Sequence, residues 1–132
     1  MENLTDPQFA ARILAMGSGI WNSIRAESPD LVPNLSGVPL AGMVLTGIDF
    51  RGVSLSGANL HATSFTNSNL SGANLSGANL READLIGANL SGANLVGADL
   101  WEADLRGANF TDANLNGVDL SQSLHHDRAL GL

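Results

Sequence analysis

The stretch from Leu70 to Leu100 reads LSGANLSGANLREADLIGANLSGANLVGADL, with a leucine at every fifth position. Extended in both directions, the same spacing finds Leu or Phe at all 18 positions from Leu35 to Leu120, with Phe only at Phe50, Phe65 and Phe110. Two residues before these positions stands Ala in 10 of 18 units, and two residues after them Gly in 12 of 18. Asn or Asp fills the place just before the leucine in 14 of 18, so the unit is Ala-Asn/Asp-Leu-x-Gly.

A period of five fits neither the 3.6 of an α-helix nor the two of an uninterrupted strand. A short extended step followed by a corner does fit. Ala and Leu, two residues apart, then point to the same side while Asn or Asp points away. The x-Gly pair turns the chain, glycine supplying a backbone conformation that a Cβ penalises. One unit cannot bury its own leucine. Stacked turns can, and each buried Leu or Phe contributes roughly 1.5–3 kcal/mol against an ordering entropy of similar size.

On these units, residues 33–122, the chain resembles the pentapeptide-repeat proteins. The resemblance implies an all-β fold, a right-handed quadrilateral parallel β-helix with four units to a coil, here about 4.5 coils and about 22 Å long at the usual strand spacing. The early units depart from alanine, with Pro33, Val38, Met43, Ile48 and Val53 at the small inward position, which predicts a wider or differently packed first coil and a half. Asparagine columns such as Asn74, Asn94 and Asn114 suggest hydrogen-bonded ladders between coils.

Residues 1–32 read as a helical cap. Thr5 or Asp6 is placed as N-cap with Pro7 in the first turn, and Phe9, Ile13 and Met16 form an apolar stripe. Gly17-Ser18-Gly19 predicts a break, and a second helix from about residue 19 to 27 carries Ile20, Trp21 and Ile24. Gly19-Ile20-Trp21-Asn22, Pro29-Asp30-Leu31 and Asn34-Leu35-Ser36-Gly37 resemble the helical leader ahead of many bacterial, notably cyanobacterial, members of the family. Its expected role is to cover the first coil, since an open end presents unpaired backbone and bare leucines. The rhythm fails at His125, so residues 123–132 are read as a tail. Leu124, Leu130 and Leu132 could fold over the last coil, or the last coil could meet its counterpart in a second chain; without an evident cap, self-association through this end is expected.

The chain of 132 residues has 13 acids, 6 basic residues, all arginine, and a net charge of -7. It contains no cysteine, which excludes disulfides, thiolate nucleophiles and Cys-based metal sites. An acidic chain without lysine is a poor ligand for phosphate backbones, so direct nucleic-acid binding is not expected. The start at Met1-Glu2-Asn3 has no basic segment of a secretory signal, and no apolar run is long enough for a bilayer. A cytoplasmic protein off the membrane is expected, with an extracytoplasmic compartment left open.

Large and small side chains fill the predicted interior, so function is expected on the surface, without cofactor. The serines that follow the leucines have no histidine placed by any motif, and no catalytic residue is assigned. His125-His126-Asp127 has metal-ligand types, but neighbouring side chains in a tail rarely converge and no fourth ligand is evident; no metal is assigned.

Steps of 20 sort the units into faces. The face of Leu35, Leu55, Leu75, Leu95 and Leu115 carries no charge. The face of Leu40, Leu60, Leu80, Leu100 and Leu120 differs: His61, Arg81 and Trp101 follow one another in one column, Glu82 and Glu102 in the next, flanked by Asp99 and Asp119. Exposed Trp and Arg are enriched at binding hot spots, and one coil of separation allows Arg81 to stack on Trp101. These seven residues are the candidate interaction patch of a protein-binding scaffold whose partner is unidentified. The alternative comes from the resemblance: relatives that confer quinolone resistance mimic B-DNA and bind DNA gyrase as end-to-end dimers. Residues 30–120 hold nine acids and three arginines, about half the charge density of duplex DNA at one charge per about 1.7 Å. That disfavours mimicry of DNA toward gyrase or another topoisomerase.

Overall fold

The computed structural model describes residues 3–132. From Asn34 to Asn94 each outward residue before the leucine pairs with the residue 20 positions later, always in parallel. The series runs without a gap from Asn34–Ser54 to Asn94–Asn114. Each pairing is an isolated bridge; among the described residues no extended strand forms, because a corner follows after every few residues. A representative pair of bonds is Leu75 N–H to the Asn94 carbonyl at 2.7 Å and Asn94 N–H to the Ala73 carbonyl at 2.9 Å.

The corners follow one rule. Ala78 N–H donates to the Leu75 carbonyl at 3.0 Å, closing a four-residue turn whose third residue, Gly77, has φ +64. A positive φ at that position alone is the mark of a type II turn, and glycine adopts it without a Cβ penalty. The asparagine side chain serves the same corner: Asn74 Oδ1 accepts the Ser76 N–H at 3.0 Å, and Asn94 and Asn114 accept from Val96 and Asn116 at 3.0 and 3.1 Å. The expected asparagine ladders are therefore largely replaced by local bonds. Among the described residues only Asn79 Nδ2 reaches a neighbouring coil's asparagine, Asn59 Oδ1, at 3.5 Å.

Inside, the leucine and alanine columns are buried from Leu35 to Phe110. Val38 and Met43, at the N-terminal end of the stack, are only partly buried. Two polar residues enter the core at alanine positions. Thr63 Oγ1 donates to the Leu40 carbonyl at 3.0 Å, whereas Ser68 Oγ has no partner among the described residues.

At the N-terminal end lie α1, Pro7–Leu14, and α2, Ser18–Glu27. Asp6 is the N-cap of α1, its side chain accepting the Gln8 N–H at 2.9 Å. The stripe of α1 is shifted from the expected one: Ala10 and Leu14 are buried, Phe9 and Ile13 only partly so, and Met16 is 67% exposed. In α2 the three apolar cap residues do not share one face. Trp21 and Arg25, one turn apart, are buried, Ile24 is partly buried, and Ile20 is 48% exposed. Residues one apart on a helix differ by about 100° in direction, so Trp21 facing the coil turns Ile20 aside.

Hydrogen bonds explain that phase. The first coil has no coil beneath it to bond its backbone, and α2 supplies the partners from side chains. Trp21 Nε1 donates to the Asp49 carbonyl at 2.8 Å, Arg25 Nη2 to the Arg51 carbonyl at 2.6 Å and Asn22 Nδ2 to the Gly47 carbonyl at 3.1 Å. Asn22 Oδ1 accepts the Asp49 N–H at 2.8 Å. The indole also meets the Phe50 ring edge-on at 5.2 Å between centroids. Elsewhere on this end the Leu4 carbonyl accepts the Asn34 N–H at 2.8 Å, and Pro39 has no N–H to bond.

The tail read as beginning at residue 123 instead continues the ladder. The Asp99–Asp119 step is missing, but Leu124 bridges Asp104 and Leu130 bridges Asn109. Leu130 lies 21 positions from its partner because one extra residue is taken up around a short 3-10 turn at His126–Arg128. Leu124 and Leu130 thus occupy outward positions of the pattern, 45% and 60% exposed.

Candidate functional site

The face of Leu40, Leu60, Leu80, Leu100 and Leu120 takes its shape from the corners. At four of the five residues following those leucines the backbone N–H is fixed by the preceding Asn or Asp: His61 by Asn59, Arg81 by Asn79, Trp101 by Asp99 and Ser121 by Asp119, at 2.9–3.1 Å. Each side chain leaves its corner from an anchored backbone. Arg81 and Trp101 therefore stand one above the other, with the Arg81 Cζ 4.5 Å from the centre of the Trp101 ring. Arg81 Nη1 also lies 3.6 Å from Asp99 Oδ2. His61 Nε2 and Glu82 Oε2 form a second contact at 2.6 Å.

The seven predicted patch residues thus divide. Arg81, Asp99 and Trp101 form one cluster, and His61 and Glu82 a neighbouring pair. Glu102 has no side-chain partner among the described bonds. Asp119 sits beyond the missing step of the ladder and, among the described residues, its side chain bonds only Ser121, whose hydroxyl and N–H hold its carboxyl below the usual carboxylate range.

One property of this face was not anticipated from the sequence. Ala62, Glu82 and Glu102 occupy the left-handed corner position with φ of +56, +60 and +55. Most other corners use glycine there; the exceptions in the coils are Asn67 and Asp112, of types that tolerate this region. Two glutamates in succession on one column are held where glycine costs less. The signal was present in the sequence as Ala62, Glu82 and Glu102 in place of the corner glycine. Arg25 was likewise missed, although it lies one helical turn from Trp21.

The other charged corners are built differently. Asp49 and Asp104 each accept the backbone N–H and the guanidinium of the arginine two residues on, Arg51 and Arg106, with closest ion-pair distances of 2.8 and 2.6 Å. Those hydrogen bonds hold both carboxyls below their usual range. Such arginines are bound within their own corner, whereas Arg81 lies across two coils. Among the described residues no group of three potential ligands is placed to hold a metal ion, His125, His126 and Asp127 included.

The pentapeptide repeats family matches over residues 34–72, 63–101 and 83–122, in eight copies. A pentapeptide repeat protein of the Arabidopsis thaliana thylakoid lumen is similar at 33% identity and a TM-score of 0.66, over 68% of this chain and 63% of that one. HetL, a pentapeptide repeat protein involved in heterocyst differentiation regulation in the cyanobacterium Nostoc, is similar at 35% identity and a TM-score of 0.54, over 69% of this chain and 48% of that one. This chain therefore matches less than two thirds of the length of either protein. No curated protein matches it in sequence. With parallel bridges every 20 residues and a corner every five, the chain belongs to the pentapeptide repeat family and has the fold of that family, a right-handed quadrilateral β-helix.

Proposed function

We propose that this protein is a non-enzymatic interaction module, and that its partner docks on the face of Arg81 and Trp101. The observation that carries this reading is the stacked Arg81–Trp101 pair, a half-exposed aromatic surface fixed at two anchored corners. Left-handed Glu82 and Glu102 beside it add to the case, since backbone strain collects at functional positions. The face sets Glu82, Asp99, Glu102 and Asp119 against Arg81, so the complementary surface is basic with an apolar or cationic group for the indole. The stacked coils give a rigid rod on which these columns keep their spacing.

Affinity capture with the wild type and Trp101→Ala side by side tests the proposal. A protein held by the wild type and lost from the variant supports it; equal retention of every captured protein by both overturns it. Mimicry of duplex DNA draws no support from the surface, because Arg51 and Arg106 neutralise the carboxylates beside them. Self-association through the last coil rests on exposed Leu124, Leu130 and Leu132. Light scattering that finds a strict monomer at high concentration counts against it.

No helix among the described residues is long and apolar enough to cross a membrane.

A further inference from the structure

We propose that Asn116 is a modification site, deamidated without an enzyme through a succinimide, with water as the only co-reactant. The backbone nitrogen of Gly117 attacks Cγ of Asn116; the N–Cγ bond forms as the Cγ–Nδ2 bond breaks, the Gly117 amide gives up its proton, and ammonia leaves. Water then opens the ring. Cleavage of the N–Cγ bond yields aspartate, and cleavage of the bond between that nitrogen and the Asn116 carbonyl carbon yields isoaspartate.

The chemistry needs a nitrogen that is both unhindered and free. Asn116-Gly117 is the one Asn-Gly pair in the sequence, and glycine offers no Cβ to obstruct attack. In the same column Gly37, Gly57, Gly77 and Gly97 each donate their N–H to the coil above, at 2.9–3.0 Å. Gly117 donates to no acceptor among the described residues. Both Asn116 and Gly117 are exposed, and past them the ladder misses its Asp99–Asp119 step.

Other asparagines lack one requirement or both. Those before a repeated leucine or phenylalanine face a bulky neighbour, and in most that neighbour's N–H is held in the ladder, as Phe110 N–H is by the Leu130 carbonyl at 2.8 Å. Asn67 precedes a smaller residue, but the Ser68 N–H is held by the Phe65 carbonyl at 2.9 Å. Asn114 is the informative case: the Leu115 N–H likewise has no acceptor among the described residues, but Leu115 brings a bulky side chain and the Asn114 amide oxygen is held by the Asn116 N–H at 3.1 Å.

The modification has a local consequence. It sets a carboxylate on the face of Leu35, Leu55, Leu75, Leu95 and Leu115, which otherwise carries no charge. As isoaspartate it also lengthens the backbone by a methylene at the residue whose carbonyl receives the Gly97 N–H at 3.0 Å.

The test incubates the folded 132-residue chain at rising alkaline pH, then cleaves after arginine. The fragment from Gly107 to Arg128 carries Asn109, Asn114 and Asn116 together, so fragment masses show which of the three converts, and chromatography separates the isoaspartate and aspartate forms, which share one mass. The expected result is loss of unmodified Asn116 that quickens with pH, isoaspartate exceeding aspartate, and Asn109 and Asn114 left intact. Asn116→Ser, which places there the residue found at Ser36, Ser56 and Ser76, abolishes the more acidic species in isoelectric focusing. The proposal is overturned if Asn114 converts as fast as Asn116, or if Asn116 converts in the denatured chain but not in the folded one.

Discussion

The guanidinium of Arg81 covers the indole of Trp101 from one coil below, with its central carbon 4.5 Å from the ring centre. Both side chains are outside the leucine core, and the backbone beneath them is held by Asn79 and Asp99 whatever the side chains do. An exposed cation-π contact is worth about 0.5–1 kcal/mol. Trp101→Ala is therefore expected to lower stability by no more than about 1 kcal/mol, measured by urea unfolding. A loss several times larger would make Trp101 a structural residue and weaken its assignment to binding.

Glu102 tests whether the patch carries a cost. Its backbone has φ +55, and its side chain has no partner among the described bonds that could offset the strain. Glu102→Gly should raise stability by about 1 kcal/mol, the penalty of a left-handed residue with a Cβ. Gly77→Ala, at the same corner position with φ +64, should lower it by a similar amount. Denaturation midpoints moving in opposite directions are the expected outcome.

The N-terminal end should be far more sensitive. Trp21 is fully buried, touches Phe50 and bonds the Asp49 carbonyl. Trp21→Ala is expected to cost about 3–5 kcal/mol. Hydrogen exchange should show the loss first at Phe50 and its neighbours in the first coil, ahead of the central coils.

Acid should remove a contribution from Asp104. Its folded pKa lies below the ordinary value because Arg106 bonds the carboxylate. A depressed carboxyl stabilises the fold fully above the unfolded value of about 3.9 and loses that contribution as pH falls through the folded pKa. The difference in melting temperature between the wild type and Asp104→Asn should thus be constant near neutrality and shrink below about pH 4. A difference unchanged in acid would mean that the ion pair is not its source.

Ser68 offers the opposite change. Its hydroxyl is buried without a partner among the described residues, in a column continued by Ala88 and Ala108. Ser68→Ala should stabilise the protein by about 1 kcal/mol, since burying an unbonded polar group costs about 1–3 kcal/mol. Thermal unfolding of the two chains decides it.

The coil was legible because its signals are local and repeated. The leucine every fifth residue places the core, the glycine places most corners, and counting by 20 is enough to bring Arg81 beneath Trp101. What stayed hidden depended on competition between interactions. Asn74 could bond across coils or within its corner, and the nearby Ser76 N–H is the partner taken. Apolar spacing left the inner face of α2 open, because Trp21 seeks the Asp49 carbonyl as well as the Phe50 ring, a demand that spacing does not reveal. Past His125 the repeat changes by one residue, so a rule of strict periodicity ends where the backbone pairing does not.

The 20-residue register has a genetic corollary. Deleting one five-residue unit between Arg81 and Trp101 would preserve every corner and every inward leucine, yet turn all that follows by a quarter revolution. The indole would then be carried to a different side of the rod from the guanidinium. Inserting four such units would return the two to the same side, one coil further apart. Gene-length changes in this protein are thus angular moves: the fold tolerates any multiple of five, and a surface spanning several coils keeps its facing only through whole revolutions.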